Sequence, residues 1–306
     1  LLGVPGLSAG IVDRWQVDGD TAGAALLSLV ALAIVAVLVA LERQLRQRSR
    51  CWSLGNGAPQ QQLWTLSGWR AALAIAVTAL PPLLCLTIEG LWISSGWQLI
   101  NLDALLELLP LAGRSLGLAL AATAITVAGA LVLALVRRWL PRPLIQQLSR
   151  VAALGYAIPG SVLALGLLIL GGPLLLSPLL LLLWGYGDRF LTVSKQGLDA
   201  AFERLPPSVD EAAISLGHAW PAVLRRVHLP LLRGPLLVSG LLVFVDVVKE
   251  LPLTLSLRPF DYDTLAVRVF QYASDERLGA AMAPSLLIMV VGLLAASALI
   301  PSLERR

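Results

Sequence analysis

"EAAISLGHAWPAVLRRVHLP" (residues 211–230) is a polar stretch with two prolines, set between the apolar runs "LLLSPLLLLLWGYG" (174–187) and "LLVSGLLVFVDVV" (236–248). The contrast decides the fold class. The flanking runs belong to segments of the roughly 20 residues that a helix rising about 1.5 Å per residue needs to cross a hydrocarbon core. Their apolar character is continuous and does not alternate, which excludes barrel strands. Of the 306 residues, 57% are hydrophobic and 14% charged, with a mean hydropathy of +0.80, far from the composition of a soluble domain. The expected fold is all-α, a polytopic membrane helix bundle.

Working outward, about seven transmembrane helices are expected, near 22–41, 71–93, 115–136, 149–171, 173–193, 234–254 and 283–301. "ERQLRQRSR" (42–50) and the Gly/Gln/Pro stretch after it form the best domain boundary. The division expected is a tail and last transmembrane helix of an upstream half (1–45), a cytoplasmic linker (46–70), and a second half (71–306) carrying a cytoplasmic loop at 195–233. If the linker is cytoplasmic, alternation places 17 of the 23 Lys and Arg, Arg189 included, on that same side. This is the bias that orients bacterial inner-membrane proteins. Basic residues lie in short clusters beside apolar spans, so they argue for membrane orientation and against nucleic acid. Sliding the chain by 257 residues aligns Trp15 with Tyr272, Asp18 with Asp275, Ala24 with Ala281 and Ser28 with Ser285. That echo suggests a parallel duplication whose first copy contributes only its last helix here. The chain opens at Leu1 without a signal-peptide pattern, so upstream sequence is expected.

The polar stretch itself predicts a helical hairpin. Ser208 followed three residues later by Glu211 has capping-box spacing, Asp210 and Glu211 suit the positive end of a helix, and Gly217 stands where a left-handed residue ends it. Pro221 can open a second short helix. A helix of two and a half turns needs a partner to persist in water. Ala212, Ala213 and Gly217 offer a small-residue surface, Trp220 and Leu224 larger anchors, and Arg225 and Arg226 a polar flank suited to docking in a groove.

Glu211-Ala212-Ala213, Gly217, Val227, Leu229 and Pro230 together resemble the coupling loop of binding-protein-dependent ABC importer permeases, with Val227 where isoleucine is commoner. The resemblance covers roughly 110–306 and implies the MetI-like permease fold. It also implies that loop 206–230 docks into a cytoplasmic ATPase and transmits its closure to the membrane helices. "GYAIPGSVLALG" (155–166) and "KELP", "LRPF" and "DTLAV" within 244–278 are similar to iron(III) importer permeases. The partners implied are a cytoplasmic ABC ATPase, a periplasmic substrate-binding protein docking on outer loops such as 255–282, and a missing upstream half or a second permease copy. Importers of thiamine, sulfate, molybdate or polyamines share the coupling loop and stand as alternatives.

Three charges near one helix end, Asp246, Lys249 and Glu250, are costly in a membrane and need pairing or water. Spacings of three and four put Asp246 on one helix face with both others. They are candidates for the translocation path or gate, with Pro252 ending the helix there. A secondary transporter using them as an ion relay is a further alternative, although such a carrier has no need of a dockable hairpin. Pro81-Pro82 is expected to kink or break its helix, and Pro159-Gly160 to loosen the fourth span. Cys51 and Cys85 suggest no disulfide. His218 and His228 lack a second ligand at metal spacing, so no metal site or cofactor is expected. Neither a phosphate-binding loop nor a zinc-protease motif is present, so the chain is expected to be a transport subunit without enzymatic activity of its own.

Overall fold

The computed structural model describes residues 6–48, 67–96, 102–140, 142–152 and 154–304. Among these all regular structure is helical. The elements are α1 (Leu7–Val12, continued by a π turn to Val17), α2 (Thr21–Arg48), α3 (Trp69–Gly96), α4 (Leu102–Trp139), α5 (Pro143–Ala152), α6 (Gly160–Gly171) and α7 (Pro178–Glu203). They continue with α8 (Ser208–Ser215), α9 (Trp220–Val223), α10 (Leu229–Val248), α11 (Pro252–Leu257), α12 (Leu265–Ser274) and α13 (Leu278–Glu304). The described residues through Val35 and from Asp103 onward form one compact unit; those between Ala36 and Leu102 form a second. The chain is an all-α, multi-pass membrane protein.

Five segments of the described residues are long and apolar enough to span a bilayer: Thr21–Leu41, Trp69–Ser94, Leu105–Trp139, Trp220–Val248 and Leu278–Ala298. The expected span at 149–171 is not one helix. α5 stops at Ala152, a 3₁₀ turn covers Gly155–Ala157, and α6 restarts after Pro159 with only 12 residues. Pro159, extended at φ −56° and ψ 138°, cannot continue α5 and instead precedes the first turn of α6. Gly155 is needed because a Cβ there would collide with the Asp188 backbone. The expected span at 173–193 begins only at Pro178 and runs on to Glu203, a 26-residue helix carrying Asp188, Arg189, Lys195 and Asp199 on its way. Pro81 and Pro82, by contrast, lie inside an uninterrupted α3 and do not break it.

The core of the larger unit is a three-helix packing of α4, α7 and α10. Ala119, Ala122, Ala130 and Ala134 of α4 are each at most 3% exposed. Against them lie Leu181, Leu182 and Tyr186 of α7 and Val243 and Val247 of α10, with Leu253 and Leu257 of α11 closing one end. At the other end Leu198, Phe202 and Leu232 meet Ala130, Ala134 and Leu135. In the smaller unit large apolar side chains of α3, such as Ile75, Leu83 and Ile88, are exposed, a surface that water does not tolerate and lipid does.

The 257-residue echo has a structural counterpart. α1 with its π turn ends before Asp18, Gly19 takes φ +67°, and α2 starts at Thr21; α12 ends before Asp275, Glu276 takes φ +59°, and α13 starts at Leu278. Ala24 and Ala281 are both buried. The turns differ in how the second helix is capped. Asp20 accepts from the Gly23 amide at 2.8 Å, and that bond with Arg14 nearby holds its carboxyl below the usual range. The aligned residue there is Arg277.

Candidate functional site

The hairpin at 206–230 forms as two short helices, but its start is not the expected capping box. Ser208 is itself helical, Pro207 occupies the cap position, and no side chain caps the helix there. Asp210 is turned inward to Arg138. The end of α8 follows the sequence closely: Gly217 has φ +83°, its amide donates to the Ile214 carbonyl at 2.8 Å, and the His218 amide donates to the Ala213 carbonyl at 3.2 Å. This pair of bonds is the Schellman arrangement, and it requires the left-handed residue that glycine supplies without strain. Pro221 lies in the first turn of α9, and a π turn (Leu224–His228) then carries the chain directly into α10. Whatever displaces the hairpin therefore displaces the base of α10.

Glu211, Ala212, Gly217, Leu229 and Pro230 are exposed, Val227 is half-buried, and Ala213 is buried. The expected surface of three small residues is thus corrected to Ala212 and Gly217, because Ala213 faces the protein's own core. Leu224, expected as an outward anchor, packs on the cluster around Leu198 and Phe202. Outward-facing apolar surface comes instead from Ile214, Leu216 and Trp220, with Leu216 78% exposed. The Trp220 ring rests against Trp139 at 4.6 Å between centroids, which fixes its orientation.

At the other end of α10, Asp246 pairs with Lys249 at 3.0 Å, as the spacing predicts. Glu250 does not join them. Its carboxylate accepts from the Leu253 and Thr254 amides at 3.1 and 3.2 Å, and Arg189 Nε approaches at 3.7 Å. α10 ends at Val248, so Pro252 is not its terminator; it opens α11, whose free amides Glu250 caps. Arg189 also donates to the Ile158 carbonyl at 2.8 Å, tying the break between α5 and α6 to the same point. Tyr186 and Thr254 hydroxyls lie 2.5 Å apart beneath it. A recess of 310 Å³ opens here, lined by Tyr156, Arg189, Asp246, Lys249, Glu250 and Pro252 among others. Arg189 is 11 residues into α7, roughly 16 Å from its start at about 1.5 Å per residue. Counting it with the basic rim of the opposite side is therefore corrected: it belongs to the middle of its helix.

The sequence placed Asp210 only at the positive end of its helix and Arg138 and Arg189 only among the basic residues; it gave no sign that Asp210 meets Arg138 or that Arg189 meets Glu250. Among the described residues no group of three or more His, Cys, Asp or Glu side chains could hold a metal ion. His228 is fully buried between Trp139 and Phe202, with Nε2 3.1 Å from Asp210 Oδ1. Cys85 is a free, exposed thiol, and Cys51 lies outside the described residues.

No family model matches the chain. Over 292 residues, 92% of its length, the chain is 25% identical to the Fe(3+)-transport system permease protein FbpB 2 of Haemophilus influenzae, of whose length it spans 57%. In sequence, this all-α, multi-span chain is similar to an iron(III) transport permease.

Proposed function

We propose that the chain is a transmembrane permease component of an ATP-driven, binding-protein-dependent importer of iron(III) in the bacterial inner membrane. The hairpin at 206–230 carries this reading: a capped, water-facing element with exposed Glu211, Ala212, Leu216, Gly217 and Trp220, continuous with α10. An ATPase subunit gripping that surface moves the base of α10, and the recess at Arg189, Asp246, Lys249 and Glu250 lies at its far end, about 30 Å away for a 20-residue helix. ATP hydrolysis belongs to the partner. Specificity rests with an external binding protein, because the recess offers its carboxylates already paired with cations and so releases a hard trivalent ion readily. An upstream half, or a second permease copy, completes the pathway. An ion relay through Asp246, Lys249 and Glu250 is the poorer reading, since it leaves the hairpin without a purpose.

The test is reconstitution of the full-length permease with its ATPase in liposomes, followed by a search for the binding protein whose loaded form stimulates ATP hydrolysis. An iron(III)-loaded protein is the expected stimulator; stimulation only by a thiamine-, sulfate-, molybdate- or polyamine-loaded one overturns the substrate. Lys249→Met is expected to cut uptake several-fold in normally expressed protein by freeing Asp246 within the recess. Unchanged uptake and unchanged ATPase coupling would remove the recess from the pathway.

A further inference from the structure

Four segments converge on one buried ion pair at the root of the hairpin. Arg138, near the end of α4, donates through Nε to Asp210 Oδ2 at 2.6 Å; their side chains are 13% and 11% exposed. The same guanidinium donates to the carbonyls of Phe202 and Leu205 at 3.1 and 3.0 Å and of Pro206 at 3.2 Å. Those carbonyls belong to the last turn of α7 and the chain just beyond it; that of Phe202 also accepts from the Leu205 amide at 3.0 Å and that of Pro206 from the Val209 amide at 3.2 Å, so the guanidinium reinforces a turn already closed by the backbone. Asp210 sits in the first turn of α8, and His228, at the junction with α10, packs its fully buried ring against the pair. Beside it Arg137 bonds Asp199 and Glu203, both at 3.1 Å, stitching α4 to α7 a second time, and Lys195, one turn earlier on α7, bonds Asp199 at 2.6 Å.

We infer that Arg138 and Asp210 are positioning residues: with His228 they form a rigid joint that makes the hairpin move as one body with the ends of α4 and α7, so that displacement reaches α10 undiminished. The inference rests on the importer reading above and assigns to these residues its mechanical link. The physical ground is the desolvation of the pair. A largely desolvated guanidinium that holds one carboxylate oxygen and three carbonyls at once has few alternative geometries, whereas an exposed pair exchanges freely with water. The planar, five-donor guanidinium is what allows one side chain to hold three segments at once; an ammonium cannot reproduce that fork.

The experiment uses the full-length transporter assembled with its ATPase, comparing wild type with Arg138→Met, Arg138→Lys, Asp210→Asn and the Met/Asn double variant. Three quantities are read: crosslinking of the hairpin to the ATPase through a cysteine at Ala212, transport per ATP hydrolysed, and the spin-label distance distribution between Ser215 on α8 and Val132 on α4, both exposed. For Arg138→Met, crosslinking and ATP hydrolysis should stay within about twofold of wild type while transport per ATP falls about tenfold and the distance distribution broadens, a coupling loss of ordinary size. Asp210→Asn should do the same, and the double variant should be no worse than either single, the signature of one shared interaction. Arg138→Lys should recover only part of the coupling. If Arg138→Met keeps its transport per ATP, or if hydrolysis and transport fall in parallel, the joint is refuted while the importer reading stands. If wild type itself yields no crosslink to an ATPase, the importer reading fails first, and the distance distribution alone then decides whether the joint is rigid.

Discussion

Arg189→Met should strongly destabilise the larger unit. It leaves the Glu250 carboxylate, 6% exposed, without the cation that faces it. Removing one partner of a buried pair costs about 3–5 kcal/mol, because the survivor stays charged in a poorly solvated site. The Ile158 carbonyl loses its donor as well, so the turn between α5 and α6 should loosen together with α11. Denaturant unfolding of the detergent-solubilised permease measures this directly. Arg189→Met/Glu250→Gln should recover most of the loss, since a neutral amide still accepts from the Leu253 and Thr254 amides through its oxygen. Equal stability of Arg189→Met and wild type would mean that Glu250 is held by those amides alone and that the pair has no structural weight.

Gly217→Val should have the largest effect on transport with the least effect on stability. At φ +83° a β-branched residue is forced into left-handed backbone, at a cost of about 1–2 kcal/mol or more. The position is otherwise open, with nothing within 4 Å of where a Cβ would stand, so the strain is conformational and local. Relief comes from breaking the two amide–carbonyl bonds that end α8, which splays the hairpin. Iron uptake and hairpin–ATPase crosslinking are expected to drop about tenfold together, while global unfolding moves little, a change of about 1.4 kcal/mol in docking being sufficient. Gly217→Asn, which tolerates this backbone region, should retain most of the activity. A Val variant that transports normally would show that the shape of the α8 end plays no part in coupling.

Much of this architecture is local and was therefore legible. Continuous apolar runs, Pro221 at the start of α9, the left-handed Gly217 and the i,i+3 pairing of Asp246 with Lys249 depend on neighbours within one or two turns. The 257-residue echo falls on two local turns of the same kind, Gly19 and Glu276 each taking positive φ between two helices. Where local signals competed, the sequence misled. Ser208 and Glu211 have the spacing of a capping box, yet the first turn of α8 is organised by Asp210 reaching Arg138 across 72 positions, and the box does not form. Ala213 looked like surface beside Ala212, but the inward face of α8 is set by what the hairpin rests on.

The sequence by itself determined that this chain is a bundle of membrane helices interrupted by one polar helical hairpin, because hydrocarbon leaves a backbone no solution but the helix and because turns are written in adjacent residues. Only the tertiary structure decided that the fourth apolar run is broken at Pro159, that Arg189 meets Glu250, and that Arg138 binds Asp210. A charge inside an apolar helix announces that it must find a partner. Which of the other charges it finds depends on how helices far apart in the chain come to lie side by side, and that is settled by packing.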